Sequence, residues 1–423
     1  MKDMLHVCRV REVRLALPAL TLSMTGDAMA FVALTLRVHA SRAGPYAVAT
    51  LLLCFALPVV VTMGIAGALA DRVDPRVLIP AASVVQVAAC AGLALAQSLA
   101  ATYALVVVLQ VGFAVANPTW NSVLSWAVGD DRIGHLVSVQ QALMAAASPI
   151  GAALGGLLVQ QRGDAVVFVL DALSYVVIGV AGLGMRRAAP PPSVSPPTTQ
   201  TARNRSRTVL LPREGWAAVR ANPLAWALLW ALLPFVIALE SMNAVEVFLV
   251  RDSLGGSAAD FGYWQATTGA GALVGALAAG VLASDRQRVH AILIALTTIA
   301  AALLGIGLAP SLAWVFALGA VLGVANAVSN AGLFAVFVRG ILADVRGRAL
   351  ALLNGLARAT SLLALALGGL AGATLGPRLS FVVAGTCGLV VAARAWHGIR
   401  RTLNQDGRND HARAARRTQT RSL

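Results

Sequence analysis

The sequence predicts an all-α membrane protein of twelve transmembrane helices, arranged as two pseudo-symmetric six-helix bundles. Three observations carry that reading. The 423 residues are 58% hydrophobic and 12% charged, and mean hydropathy is +0.77, a balance that ordinary soluble domains do not reach. Apolar runs of about 20 residues, the length a helix needs to cross the hydrocarbon core, recur along the whole chain. The second half also repeats the first at a fixed offset of 213 residues.

The runs fall at residues 15–37, 45–70, 77–96, 101–126, 135–159 and 164–185, and again at 224–250, 258–283, 289–309, 312–338, 349–373 and 378–396. They are continuous rather than alternating, which selects helices over barrel strands. The first run resembles a secretory signal around Ala28-Met29-Ala30, but Asp27 and its continuation to Leu36 make it an uncleaved span. Between the sixth and seventh runs the chain turns Pro-rich and Arg-rich and cannot bury a core. The predicted organisation is a first half (1–186), a cytoplasmic linker with a short amphipathic helix around Trp216 (187–222), a second half (223–400) and a basic cytoplasmic tail (401–423).

The net charge of +15 is a topology signal, because the bases lie between apolar runs rather than on a soluble nucleic-acid-binding face. With the N-terminus inside, 27 Arg and Lys fall on the cytoplasmic side and 5 on the other. That bias predicts cytoplasmic termini and an even number of spans. Cys54, Cys90 and Cys387 sit in apolar runs and Cys8 near the start, with no Cys/His metal spacing; neither a disulfide, a metal nor any other cofactor is expected.

In the repeat, Gly67 falls on Gly280, Asn117 on Asn330, Asp131 on Asp344, Gly155-Gly156 on Gly368-Gly369 and Asp27 on Glu240. Six spans per half make it a parallel repeat about an axis along the membrane normal, which predicts a substrate site between the halves near mid-membrane.

Ionisable residues deep in a span cost at least about 2.5 kcal/mol on insertion scales and mark interior functional faces. Asp27, Glu240 and Glu246 are therefore the candidate proton-coupling carboxyls, with Asp27 and Glu240 facing each other across one central cavity. Glu240, Asn243 and Glu246 recur every three residues and so drift around one helical face. Asn117 with Asn121, and Asn326 with Asn330, are each four apart. These asparagines and Arg358, the single base predicted mid-span, are candidate cavity residues; the plainer reading of each asparagine is a hydrogen bond between helices. Arg358 calls for an acidic partner, and Glu246, nearer the outer end, has solvation as its alternative reading. Asp171 is expected to bond a loop near the outer surface.

Gly67-Ala-Leu-Ala-Asp71-Arg72-Val-Asp-Pro-Arg76, between the second and third spans, resembles the signature loop of the major facilitator superfamily, and a degenerate copy follows at Gly280 with Asp285, Arg286 and Arg288. The resemblance covers the whole chain. It implies that Gly67, Asp71, Arg72, Arg76, Asp285 and Arg286 form a cytoplasmic gate in which ion pairs latch the halves. Leu22 to Asp27, Phe168 to Tyr175, Arg213 to Trp216 and Val345 to Arg348 further resemble the bacterial drug and siderophore exporters of the transmembrane secretion effector group. At two points the chain departs from the pattern: Asp74-Pro75 replaces Gly-Arg, and Gly151 to Gly156 lacks the group's Gly-Pro before its paired glycines.

The expected function is proton-coupled efflux of a hydrophobic or amphipathic small molecule from the bacterial inner membrane. Its partners would be that substrate, protons and the lipid bilayer, with no nucleic acid, and the protein a monomer. The alternatives are an importer of the same fold and a non-transporting membrane sensor or scaffold. No nucleophile motif, metal pattern or nucleotide loop points to an enzyme.

Overall fold

A computed structural model describes residues 10–185, 216, 220, 223–281, 284–340 and 343–397. The predicted linker, apart from Trp216 and Arg220, and the tail lie outside these. The first six helices are α1 (Arg11–Ala40), α2 (Pro45–Arg72), α3 (Pro75–Leu95), α4 (Leu99–Val128), α5 (Ile133–Arg162) and α6 (Asp164–Leu183). The second set is α7 (Pro223–Met242), α8 (Ala258–Ala279), α9 (Asp285–Gly307), α10 (Leu312–Gly340), α11 (Ala343–Leu375) and α12 (Pro377–His397). Starts at 45, 99 and 164 recur at 258, 312 and 377, each 213 residues on.

Local chemistry sets these starts. Ser98 caps α4 by accepting from Ala101 N at 3.2 Å, and Asp74 caps α3 by accepting from Arg76 N at 2.9 Å. The departure Asp74-Pro75 is thus a helix-start signal, cap followed by Pro at the first helical position. Ser257 with Asp260, and Ser284 with Gln287, form capping boxes on α8 and α9. Gly163 and Gly376, related by the repeat offset, turn the chain into α6 and α12 with φ of 83° and 78°, a left-handed conformation that favours glycine.

Ten described helices are long and apolar enough to cross a membrane. The predicted eighth span is helical over 22 residues but falls short in apolarity, because Asp260, Gln265, Thr267, Thr268 and its glycines dilute the apolar residues. The predicted seventh span is not continuous. Its segments Leu232–Met242 and Glu246–Ser253 bend by 50° at Asn243 to Val245. At the break the ladder tightens to three-residue bonds, Asn243 N to Glu240 O and Val245 N to Met242 O, and beyond it Leu249–Ser253 forms a π turn. Glu240 and Glu246 consequently do not share one continuous helical face.

Two crossings join the sets, α5 on α8 and α2 on α11. At the first, Gly156 and Gly262 meet backbone to backbone: a Cβ on Gly156 would lie 2.8 Å from Gly262 Cα. At the second, a Cβ on Gly369 would lie 2.8 Å from Ala49 Cβ. Gly156 maps onto Gly369 and Ala49 onto Gly262 at the 213-residue offset, so the two crossings are one contact repeated about a pseudo-two-fold axis. Small residues allow this approach, and packing rather than water exclusion holds membrane helices together.

Both crossings lie toward the end where α1 stops and α2 begins, and this end is sealed further. Gln160 Oε1 accepts from Ala259 N at 3.1 Å, and His39 Nε2 lies 2.9 Å from Asp252 Oδ1 while its ring meets Phe248 edge-on. Arg37 binds Asp164 at 2.5 Å and donates to Leu93 O at 2.6 Å, tying α1, α3 and α6 together. At the opposite end α2 and α8 stand free: Ile65 is 72% and Leu277 71% exposed. No heavy atom comes within 4 Å of where a Cβ on Gly67 would stand.

Candidate functional site

Toward the free end, α1, α3, α4, α5 and α6 line a cavity of about 300 Å³. Thr21, Met24 and Asp27 come from α1, Gln86 from α3, and Phe113, Asn117, Trp120 and Asn121 from α4. Gln140, Gln141 and Met144 on α5, with Tyr175 on α6 and Ser23 on α1, complete its polar and aromatic lining. Of the sequence-predicted site residues, Asp27, Asn117 and Asn121 meet here; Glu240, Asn243, Glu246, Asn326, Asn330 and Arg358 do not line it.

Asp27 is half-buried, and Tyr175 Oη donates to its Oδ1. Among the described residues Oδ2 has no partner. Asn121 Nδ2 donates to Asn117 Oδ1 at 2.8 Å, so the pair on α4 is bonded along its own helix rather than across to another. Gln86 is 1% exposed and owes its room to Gly112, where a Cβ would stand 2.7 Å from Gln86 Cγ. Trp120 is 2% exposed, and its indole N–H finds no partner among the described residues.

Behind Asp27 lies a second carboxyl. Asp171 has no exposed surface and bonds no loop, which corrects the expectation for it. It is held between α6, α3 and α1: Ser174 Oγ donates to its Oδ1 at 3.3 Å, Cys90 Sγ donates to its Oδ2 at 3.4 Å, and Gly26 leaves the space that its carboxylate fills. No base forms an ion pair with Asp27 or Asp171 among the described residues. Burial of two acids in one polar cluster is costly unless hydrogen bonds satisfy them, which makes such clusters functional candidates.

In the second set, Glu246 differs from the solvated alternative. It is 7% exposed, accepting from Trp264 Nε1 at 2.9 Å and Gln265 Nε2 at 2.5 Å, both on α8. Glu240 accepts from Asn243 Nδ2 at 3.0 Å across the break in the seventh span. Asn330 Nδ2 donates to Asn326 Oδ1 at 3.0 Å, the same intrahelical bond as on α4. Arg358 is exposed rather than buried and forms no ion pair among the described residues, since the face of α11 that carries it is not covered by a neighbour.

The residues expected to form a gate make no ion-paired latch among the described residues. Asp71, Arg72 and Arg286 are exposed, Arg76 is half-buried with an unpartnered Nε, and no ion pair joins them among the described residues. The side chain of Asp285 lies outside the described residues.

Sequence reasoning missed Asp171, Tyr175, Gln86, Gln140 and Gln141 as site residues. One signal was present: Asp171 and Tyr175 are four apart on α6 and so share a face. Phe168 to Tyr175 was visible as a motif, but nothing in it shows that α1 lies opposite.

Comparison with known proteins agrees with this architecture. The transmembrane secretion effector family matches residues 11–415. The MFS-type transporter YfiS of Bacillus subtilis (strain 168) is 26% identical over 380 residues, covering 86% of this chain and 88% of that protein. Among solved structures, a bacterial homolog of the human lysosomal transporter Spinster, inward-facing and occupied, superposes with TM-score 0.70 at 16% identity over 92% of this chain and 97% of that one. The nucleoside transporter NupG gives TM-score 0.70 at 11% identity over 91% and 99%. A family match spanning nearly the whole chain, on a fold shared with solved transporters, means that this chain belongs to the transmembrane secretion effector family of MFS transporters.

Proposed function

We propose that the protein exports a hydrophobic or amphipathic small molecule across the bacterial inner membrane by alternating access, in exchange for protons. The observation that carries this reading is the asymmetry of access: both crossings, the His39–Asp252 pair and the Gln160 bond close one end, while the cavity beside Asp27 lies toward the other. The free end bears Arg72, Arg76, Arg132, Arg286 and Arg288, so the positive-inside rule supports its facing the cytoplasm. The open gate motif fits an inward-open state, in which substrate enters from the cytoplasm or inner leaflet. Re-forming the Asp71 and Arg72 ion pairs while breaking the opposite seal would turn the cavity outward.

Asp27 lines the cavity and so can exchange a proton with a substrate-dependent affinity. Glu240 and Glu246 flank the bend in the seventh span, where loading or unloading a proton would be felt as a change in helix geometry. Reconstituted vesicles with an imposed pH difference test the coupling. Asp27→Asn and Glu240→Gln are expected to insert normally yet fail to concentrate substrate. If both variants still drive uphill flux, these carboxyls are not the coupling sites.

A further inference from the structure

We propose that the cavity beside Asp27 selects a monocationic amphipath: an apolar, preferably aromatic body carrying one protonated or quaternary nitrogen and one or two hydroxyl or carbonyl groups. This rests on the transport reading above and narrows its substrate class.

The charge census comes first. Among the described residues the lining holds one acid, Asp27, and no Arg, Lys or His. An anion entering there would shed its hydration with no counter-charge and would face a carboxyl besides. A dication would leave one charge unmatched. A single positive nitrogen has a place: Tyr175 fixes Asp27 through Oδ1, leaving Oδ2 free to accept a charge-assisted hydrogen bond.

The remaining polarity is neutral. Gln86, Asn117, Asn121, Gln140 and Gln141 place five amides around the cavity. Each amide both donates and accepts, and the Asn117–Asn121 bond uses only one group of each. Such a ring can read hydroxyls or carbonyls without demanding a further charge. Phe113 supplies flat apolar surface, with the buried Trp120 backing the wall, and Met24 and Met144 can adapt to bodies of differing outline. A volume of about 300 Å³ lies at the small end of ligand pockets, which suits a compact molecule rather than a peptide or an oligosaccharide.

The test uses the full chain in lipid nanodiscs and three naphthalene compounds in equilibrium dialysis. Propranolol carries the cation and a hydroxyl, its N-acetyl derivative keeps the body and hydroxyl without charge, and naproxen carries a carboxylate. Propranolol is expected to bind at least about tenfold tighter than either of the others. Asp27→Asn should bring propranolol and its N-acetyl derivative to near equality, Asp27→Glu should preserve the preference, and Gln141→Leu should weaken both by about threefold. Naproxen binding as well as propranolol, an unchanged ratio in Asp27→Asn, or no binding of any of the three would overturn the proposal. Vesicle flux separates the two readings. Uphill movement of any solute with a binding ratio near one sinks this inference alone, whereas the expected ratio with no flux sinks transport alone.

Discussion

At the scale of residues, the Tyr175 phenol is the one donor on Asp27 among the described residues, which makes it the group that orients that carboxyl. Tyr175→Phe keeps the ring and loses the donor. A hydrogen bond to a charged group contributes roughly 1.5–3 kcal/mol, so the variant is expected to fold normally and bind a cationic probe about tenfold more weakly; an unchanged Kd would remove Tyr175 from the site. Gly26 has a different role, because any side chain there would enter the Asp171 carboxylate. Gly26→Val is expected to lower thermal stability by roughly 1–3 kcal/mol, measured as a drop in the midpoint of a detergent-solubilised melt. These contacts show what sequence conveys and what it does not. The rarity of Asp27 in an apolar run marked it, and of the amide ring only Asn117 and Asn121 stood out, by their spacing. Gln140 and Gln141 are ordinary residues until α5 turns them toward α1 and α4.

Helices were legible for a reason the crossings make plain: apolar run length fixes where a span lies, and Ser, Asp, Pro and Gly fix where it starts and turns. The break at Asn243 to Val245 was not, because its cause is local bonding in a sequence without Gly or Pro at the bend. Pro234 sits earlier in the same span, and the helix runs through it. Gly67 was read as a gate glycine, and no neighbouring helix packs against the position its Cβ would take. The α5–α8 crossing yields an element-scale expectation. Gly156→Val drives a side chain into the Gly262 backbone and should part the seam. Ala258→Cys, slow to react with a membrane-impermeant maleimide in the parent, should then label several times faster. Equal labelling rates would mean that the crossing does not hold the seal.

For the molecule as a whole, the sealed end has few polar ties among the described residues, and the 2.9 Å contact between His39 Nε2 and Asp252 Oδ1 is one that links the two sets of helices. Asp252→Asn weakens that tie and is expected to shift the population toward the outward-open state, read by spin labels on α2 and α8 as a longer distance at that end and a shorter one at the other. No change in either distance would relegate the pair to decoration. The internal repeat was the most informative sequence feature at this scale, since an offset found in letters returns as an offset in helix starts and in the Gly156–Gly262 and Gly369–Ala49 contacts. That repetition has a mechanical consequence. Each crossing sits near one tip of a long rod, so it works as a fulcrum: α2 runs on for about 35 Å from Ala49 to Arg72, and a tilt of about 10° sweeps its far tip through about 6 Å. In the alternating-access cycle proposed above, a small rocking about these tight contacts would therefore be magnified at the far tips, which makes the two crossings the natural pivots of the doorway.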